Sequence, residues 1–274
     1  MLKQRVITAL VLIPVVIGAV LFFDTFWFAV SFGAIIGLGA WEWTHLSGIR
    51  NRLVRGIYLS FVAVLSVVCF IYKGHPWIEA VIALAVIWWL IALGLIIAMQ
   101  QQCFQIPDSR FLKACTGLVV LIPAWLSLIL LREDEYVRGS LVLFLFVLIW
   151  LADSAAYFSG RRWGKSRLCS RISPGKTVEG VYGALLSACV LALPYAIVNN
   201  VQGIEIPIFI IICLMTVLAS IVGDLVVSMM KRAANLKDSS HLLPGHGGVM
   251  DRIDSLTAAA PVFYAGLWVW DNWQ

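Results

Sequence analysis

The chain has 274 residues, 61% hydrophobic and only 13% charged, with 12 tryptophans and a mean hydropathy of +0.93. A soluble domain is about 45–50% apolar and about 25% charged, so this composition excludes an ordinary soluble globule. A net charge of +5 on so apolar a chain points to an anionic membrane surface or an anionic substrate rather than to nucleic acid.

A helix needs about 20 mostly apolar residues to cross a bilayer. Apolar runs predict nine such spans, near residues 6–23, 26–43, 57–72, 78–98, 112–131, 140–159, 179–198, 204–230 and 255–270. The runs are continuous and not alternating, which argues against a β-barrel. The expected class is therefore an all-α polytopic membrane protein. The opening MLKQRVITALVLIPVVIGAVLFF has the basic-then-apolar order of a signal peptide. Its apolar run is long and no A-x-A-like site follows, so it reads as an uncleaved first span. The third and ninth runs are short for a span, and the eighth is long enough to tilt or to project from the bilayer.

Orientation follows from the placement of Lys and Arg, which favour cytosolic segments. With the N-terminus inside, 17 of the 20 basic residues fall in inside segments. The outside keeps Lys73, Arg132 and Arg138. A missed or false helix would scramble that alternation. Two inside loops, near 160–178 and 231–254, are longer than the rest and rich in Gly, Pro and charge. The chain reads as one domain, residues 1–274, with an N-terminal helical scaffold (1–139) and a C-terminal functional half (140–274). The six cysteines show no C-x-x-C spacing and sit in or beside apolar runs, as small hydrophobes do.

Charge inside the apolar runs marks candidate chemistry. Asp153 lies in IWLADSAAYFSG and Asp224 in LASIVGDLVVSMMKR. A carboxylate at the centre of a membrane helix costs roughly 2.5–3.5 kcal/mol on insertion scales, so each needs water, a partner or a metal. Ser228 is one helical turn beyond Asp224 on the same face, and Lys231 and Arg232 follow. Those two cations are also what snorkelling anchors look like.

Further on, KDSSHLLPGHGGVMDRIDS contains Asp251 and Asp254, three apart and so on one face of a helix. The glycines of PGHGG, Gly247 and Gly248 among them, precede that helix. A glycine-rich turn feeding a helix N-terminus suits phosphate. Neighbouring carboxylates suit Mg²⁺, which takes a few carboxylate oxygens plus substrate phosphates. Lys231, Arg232, Lys237 and Arg252 suit the remaining phosphate charge. His246 is placed to act as a base, a donor or a ligand.

SPGKT, residues 173–177, invites a Walker A reading that fails, because the first glycine of that motif would fall on Ser170. What survives is a lysine, Lys176, with the hydroxyls of Ser173 and Thr177 in a tight Pro-Gly turn. The competing reading is a capped turn entering the next helix. Together these residues suit metal-assisted phosphoryl or nucleotidyl chemistry on a lipid at the cytosolic face.

Ser228 to Asp254 resembles the signature of the phosphatidate cytidylyltransferase family, also called CDP-diacylglycerol synthases. The K-R pair (Lys231–Arg232), the K-D pair (Lys237–Asp238), the H-G-G run (His246–Gly248) and D-R-x-D (Asp251–Asp254) are in register. The resemblance extends through ADSAAY and SPGKT to the opening MLKQRVITALVLIPVV, and is to the bacterial branch. It implies transfer of the cytidylyl group of CTP to phosphatidic acid, giving CDP-diacylglycerol and pyrophosphate for phospholipid synthesis. It further implies a multi-helix homodimer in the inner membrane, with polar cavities open to the cytosol. Mg²⁺ is implied at Asp224 and Asp251, with K⁺ as a possible second cation. The signature residues Lys231, Arg232, Lys237, Asp238, His246, Arg252 and Asp254 would serve catalysis. Ser173, Lys176, Thr177, Ser228, Gly247 and Gly248 would bind substrate. One departure stands out: relatives often carry Glu just before the signature serine, where this chain has Val227.

Two other classes remain open at this point. A transporter would line a path with polar residues across broken helices, whereas here they gather at one face. A CTP-dependent polyprenol kinase would release CDP and not pyrophosphate. A CDP-alcohol phosphotransferase is disfavoured, since its D-G-x-x-A-R core is missing.

Overall fold

The apolar runs become helices because a chain in hydrocarbon must satisfy its backbone N–H and C=O groups internally. A computed structural model describes residues 2–104, 106–133, 140–243, 245 and 247–272, with side chains described at residue 10 and from residue 13 onward. Its helices are α1 (Leu2–Phe22), α2 (Thr25–Leu46), α3 (Arg52–Ile71), α4 (Trp77–Gln100), α5 (Arg110–Glu133), α6 (Ser140–Trp163), α7 (Val178–Val198), α8 (Glu205–Ala233) and α9 (Met250–Asp271). Seven of them, α2 through α8, are long and apolar enough to cross a membrane. α8 has 29 residues, about 43 Å at 1.5 Å per residue, against a hydrocarbon core of about 30 Å. Its last turn, with Lys231 and Arg232, therefore has the reach to leave the hydrocarbon.

The all-α class holds, and one expectation within it is corrected: β1 (Arg167–Cys169) and β2 (Ser173–Thr177) form a small antiparallel hairpin between α6 and α7. SPGKT is thus a strand and not a tight turn. Thr177, at its end, caps α7 by accepting a hydrogen bond from the Gly180 N–H at 3.1 Å. α9 begins at Met250, ahead of the apolar run at 255–270, and carries Asp251 and Asp254 in its first turns, on a helix as the spacing predicts.

Lipid does not drive helices together through the hydrophobic effect, so close packing rests on small residues. α7 shows this plainly: Gly180, Ala184, Ala188, Ala192 and Ala196 recur every four residues and are all buried. α6 and α7 pack along each other closely, as do α8 and α9, while α5 lies against α2 and α9 near the centre. α3 and α4 sit at the edge and turn Val64, Val67, Leu84 and Leu90 outward, as lipid-facing helices do. All six cysteines are free, and burial pushes the Cys169 thiol, in the hairpin, upward.

At Gly117 of α5, an added Cβ would overlap the ring of Trp43. Trp43 is fully buried and donates from Nε1 to the Lys113 carbonyl at 2.7 Å. Overpacking of this kind costs about 1–3 kcal/mol. Gly117→Ala is expected to lower the thermal unfolding midpoint of the purified protein in detergent. A midpoint at or above that of the parent would contradict this packing.

Candidate active site

The polar residues of the C-terminal half converge where the end of α8, the start of α9 and the hairpin meet. On α8, Asp224 and Ser228 are one turn apart, and the Ser228 hydroxyl donates to Asp224 Oδ1 at 3.1 Å. Lys176 reaches in from β2, with its Nζ 2.7 Å from Asp224 Oδ2. The lysine of SPGKT and the intramembrane aspartate of α8 are therefore partners. Gly223 explains how α9 comes so near: a Cβ there would lie 2.5 Å from the Asp254 carbonyl oxygen and 3.1 Å from Ala258 Cβ. That approach sets the half-buried Asp254 within electrostatic range of Asp224, Lys176 and Lys231. Asp153, on α6, lies within range of Asp224, Lys176 and Arg252. Like charges crowded in this way favour a bound cation.

A second cluster forms around Asp251. Lys231 Nζ lies 2.6 Å from Asp251 Oδ1, with the two side chains only 11% and 7% exposed. A desolvated pair is tolerable only when its remaining lone pairs are satisfied. Asp251 Oδ2 accepts the Ser239 N–H at 2.9 Å and the Gly248 N–H at 3.0 Å, and lies 2.9 Å from the Ser239 hydroxyl, whose single proton it shares with Glu42. Gly247, at φ +81°, leaves no room for a Cβ, which would fall 2.8 Å from Asp251 Oδ2. These glycines allow the backbone to close on the carboxylate.

The turn between α8 and α9 also differs from a phosphate cradle. Three N–H groups at its α9 end are already engaged: Gly248 donates to Asp251, and Val249 and Met250 donate to Glu42 at 2.9 and 2.7 Å. Glu42, on α2, is fully buried and also accepts the hydroxyls of Ser239 and Ser240. Sequence reasoning missed it, although the same signal was present. Glu42 is a lone carboxylate in the apolar helix TFWFAVSFGAIIGLGAWEWTHL, and such residues mark functional sites by default.

The other expected residues divide. Arg232 donates from Nε to the Ile172 carbonyl at 3.3 Å and from Nη1 to the Leu236 carbonyl at 3.4 Å. It ties the end of α8 to the loop of the hairpin. Lys237, Asp238 and Arg252 are exposed, Ser173 is half-buried, and Thr177, Ser228 and Gly248 are buried. His246 lies outside the described residues. Val227, where relatives often carry Glu, is wholly buried among apolar side chains. Among the described residues, no three His, Cys, Asp or Glu side chains are close enough together to hold a metal ion by themselves.

The site therefore offers two carboxylates, each matched to a lysine, two more beside the first, and exposed cations at the rim. The sequence pattern of the Cytidylyltransferase family matches residues 3–270. A phosphatidate cytidylyltransferase of Pseudomonas aeruginosa is 43% identical over 268 residues, covering 98% of this chain and 97% of that protein. One of Haemophilus influenzae is 40% identical over 280 residues, covering 96% and 97%. One of Brucella suis is 35% identical over 269 residues, covering 96% and 92%. With the family pattern matched over nearly its whole length and relatives at 35–43% identity, this chain belongs to the cytidylyltransferase family.

Proposed function

We propose that this protein transfers the cytidylyl group of CTP to phosphatidic acid, yielding CDP-diacylglycerol and pyrophosphate. The observation that carries the proposal is the convergence of Lys176–Asp224 and Lys231–Asp251 at the joined ends of α8 and α9. A phosphate oxygen of phosphatidate attacks the α-phosphorus of CTP. The new P–O bond forms as the bond to the bridging oxygen breaks, and pyrophosphate leaves. The nucleophile is already an anion, so no strong general base is required. The work is positioning and charge neutralisation.

Asp224 and Asp251 are the proposed holders of a Mg²⁺ ion, with K⁺ as the second cation implied by the family resemblance. The donor chemistry fits: each carboxylate already bears a cation, the ammonium of Lys176 or Lys231. Asp153 and Asp254 add negative charge beside Asp224. Mg²⁺ is commonly held by one or two carboxylates and completed by substrate phosphates, which suits a site lacking a full protein cage. When bound, Mg²⁺ would supply charge neutralisation at the phosphates of CTP. Lys176 and Lys231, released from their carboxylates, would turn to phosphate oxygens, joined by Arg252 and Lys237 from the rim.

In the proposed topology nine helices cross the bacterial inner membrane with the N-terminus in the cytosol. The hairpin and the α8–α9 turn then share the cytosolic face. The excess of Lys and Arg on that face supports this arrangement. Lipid tails would remain in the bilayer while the headgroup enters sideways. A homodimer is the proposed assembly.

Purified protein given CTP, phosphatidic acid and Mg²⁺ should form a labelled lipid from radiolabelled CTP, and chelation of divalent cations should abolish it. No incorporation under those conditions would sink the proposal. Asp153→Asn is expected to have a smaller effect than loss of Asp224, because Asp153 acts on the site at longer range. Its turnover should fall by less than about tenfold; a total loss in a steady-state assay would instead place Asp153 on the substrate or metal.

A further inference from the structure

Glu42 belongs to α2, in the half of the chain expected to be only a scaffold. It is 0% exposed. Oε1 accepts the Ser240 hydroxyl and the Val249 N–H, the latter at 2.9 Å. Oε2 accepts the Ser239 hydroxyl at 2.8 Å and the Met250 N–H at 2.7 Å. Each oxygen thus takes one hydroxyl and one backbone N–H. A buried carboxylate is tolerated only when its lone pairs are filled in this way.

The four donors come from the two ends of a single segment. Ser239 and Ser240 lie just after α8, and Val249 and Met250 open α9. α9 has no side-chain cap from its own N-cap residue, Val249. Glu42 supplies that cap from another helix, and its negative charge suits the positive end of the α9 dipole. The fit is tight, since a Cβ on Gly248 would lie 2.5 Å from Glu42 Oε2 and 2.6 Å from Oε1. Ser239 continues the chain of contacts, with its hydroxyl also 2.9 Å from Asp251 Oδ2. Asp251 in turn holds Lys231 at 2.6 Å. Glu42, Ser239, Asp251 and Lys231 form one connected line from the scaffold into the site.

We infer that Glu42 is a positioning residue for the reaction: it closes residues 239–250 into the turn that orients Asp251 and Lys231. It touches no substrate atom and acts only through that turn. The kinetic arm of this inference rests on the proposed cytidylyl transfer, whereas its structural arm does not.

The test uses full-length Glu42→Gln in detergent. Glutamine keeps the shape but must turn its NH₂ toward one hydroxyl and one N–H, breaking the four-donor arrangement. Hydrogen exchange of the amides of residues 239 and 248–250 should accelerate by about tenfold or more, with the other helices unchanged. Turnover should fall about 10–100-fold, with KM for CTP moving less than about threefold. Glu42→Asp, which restores the charge at shorter reach, should recover part of both. Wild-type exchange in the segment would overturn the inference. So would faster exchange with unchanged kcat, because Glu42 would then be only a strut. If Glu42→Gln cannot be recovered folded, Ser240→Ala removes one donor from Glu42 and none from Asp251. Unchanged exchange and kcat in that variant would also overturn the inference. Absence of cytidylyl transfer by the wild-type protein would instead refute the proposed activity and leave the exchange arm intact.

Discussion

Asp224→Asn should reduce turnover by about 10²–10³-fold, the scale on which removal of one key electrostatic group acts, while the protein stays folded in detergent. The asparagine keeps the volume of the aspartate and its contact with the Ser228 hydroxyl, 3.1 Å away in the parent. It loses the charge that holds Lys176 at 2.7 Å. Both side chains of that pair keep about a quarter of their surface open, so water can solvate the orphaned ammonium and stability changes little. Lys176→Gln should also lower turnover. The double variant should be no worse than Asp224→Asn alone, because residues acting as one unit are not additive. Steady-state kinetics on the three variants read this directly. Near-wild-type turnover in Asp224→Asn would refute the role of this carboxylate, and additive losses would separate it from Lys176.

Asp251→Asn should also abolish turnover, with a second signature. Its carboxylate accepts Lys231 and the Ser239 and Gly248 N–H groups, and shares the Ser239 hydroxyl with Glu42. An amide has one oxygen and presents N–H groups on the other side, so at least one of those donors must face another. The cost of leaving Lys231 without its buried counter-charge is about 3–5 kcal/mol, since the pair is only 11% and 7% exposed. The expected result is a folded protein whose thermal midpoint drops by several degrees and whose activity is lost. Thermal unfolding followed by tryptophan fluorescence, beside the activity assay, distinguishes the two aspartates. A stable, active Asp251→Asn would contradict the geometry of the α8–α9 turn.

Much of this architecture is legible in the sequence because apolar runs and helix length are coupled by the thickness of the bilayer. Among the described residues each run falls on a helix, and seven of those helices are long and apolar enough to cross a membrane. The boundaries that moved most are the starts of α3, at Arg52 against 57, and of α9, at Met250 against 255. Met-Asp-Arg-Ile-Asp is too charged to extend an apolar run, yet Asp251 is satisfied by Lys231, Ser239 and Gly248 and Arg252 is exposed, so the segment is helical. The hairpin was hidden for a different reason. β1 has three residues and β2 contains Pro174 and Gly175, which weaken any strand pattern. Asp224 stands out in the sequence as charge in an apolar run, and the fold sets it against Lys176 with Asp153 and Asp254 nearby. Its pairing with Lys176 was not legible, since it depends on the hairpin and on two helices approaching closely at Gly223. Glu42 was legible and overlooked, because it falls in a half of the chain with no signature motif.

The most direct test of the proposed chemistry follows each phosphorus of CTP. With label on the α-phosphorus, the product lipid should carry the label, and one pyrophosphate should appear for each lipid formed. With label on the γ-phosphorus, the lipid should remain unlabelled and all counts should leave with pyrophosphate. Label from the γ-position in the lipid, with CDP released, would mean phosphoryl transfer and would contradict cytidylyl transfer.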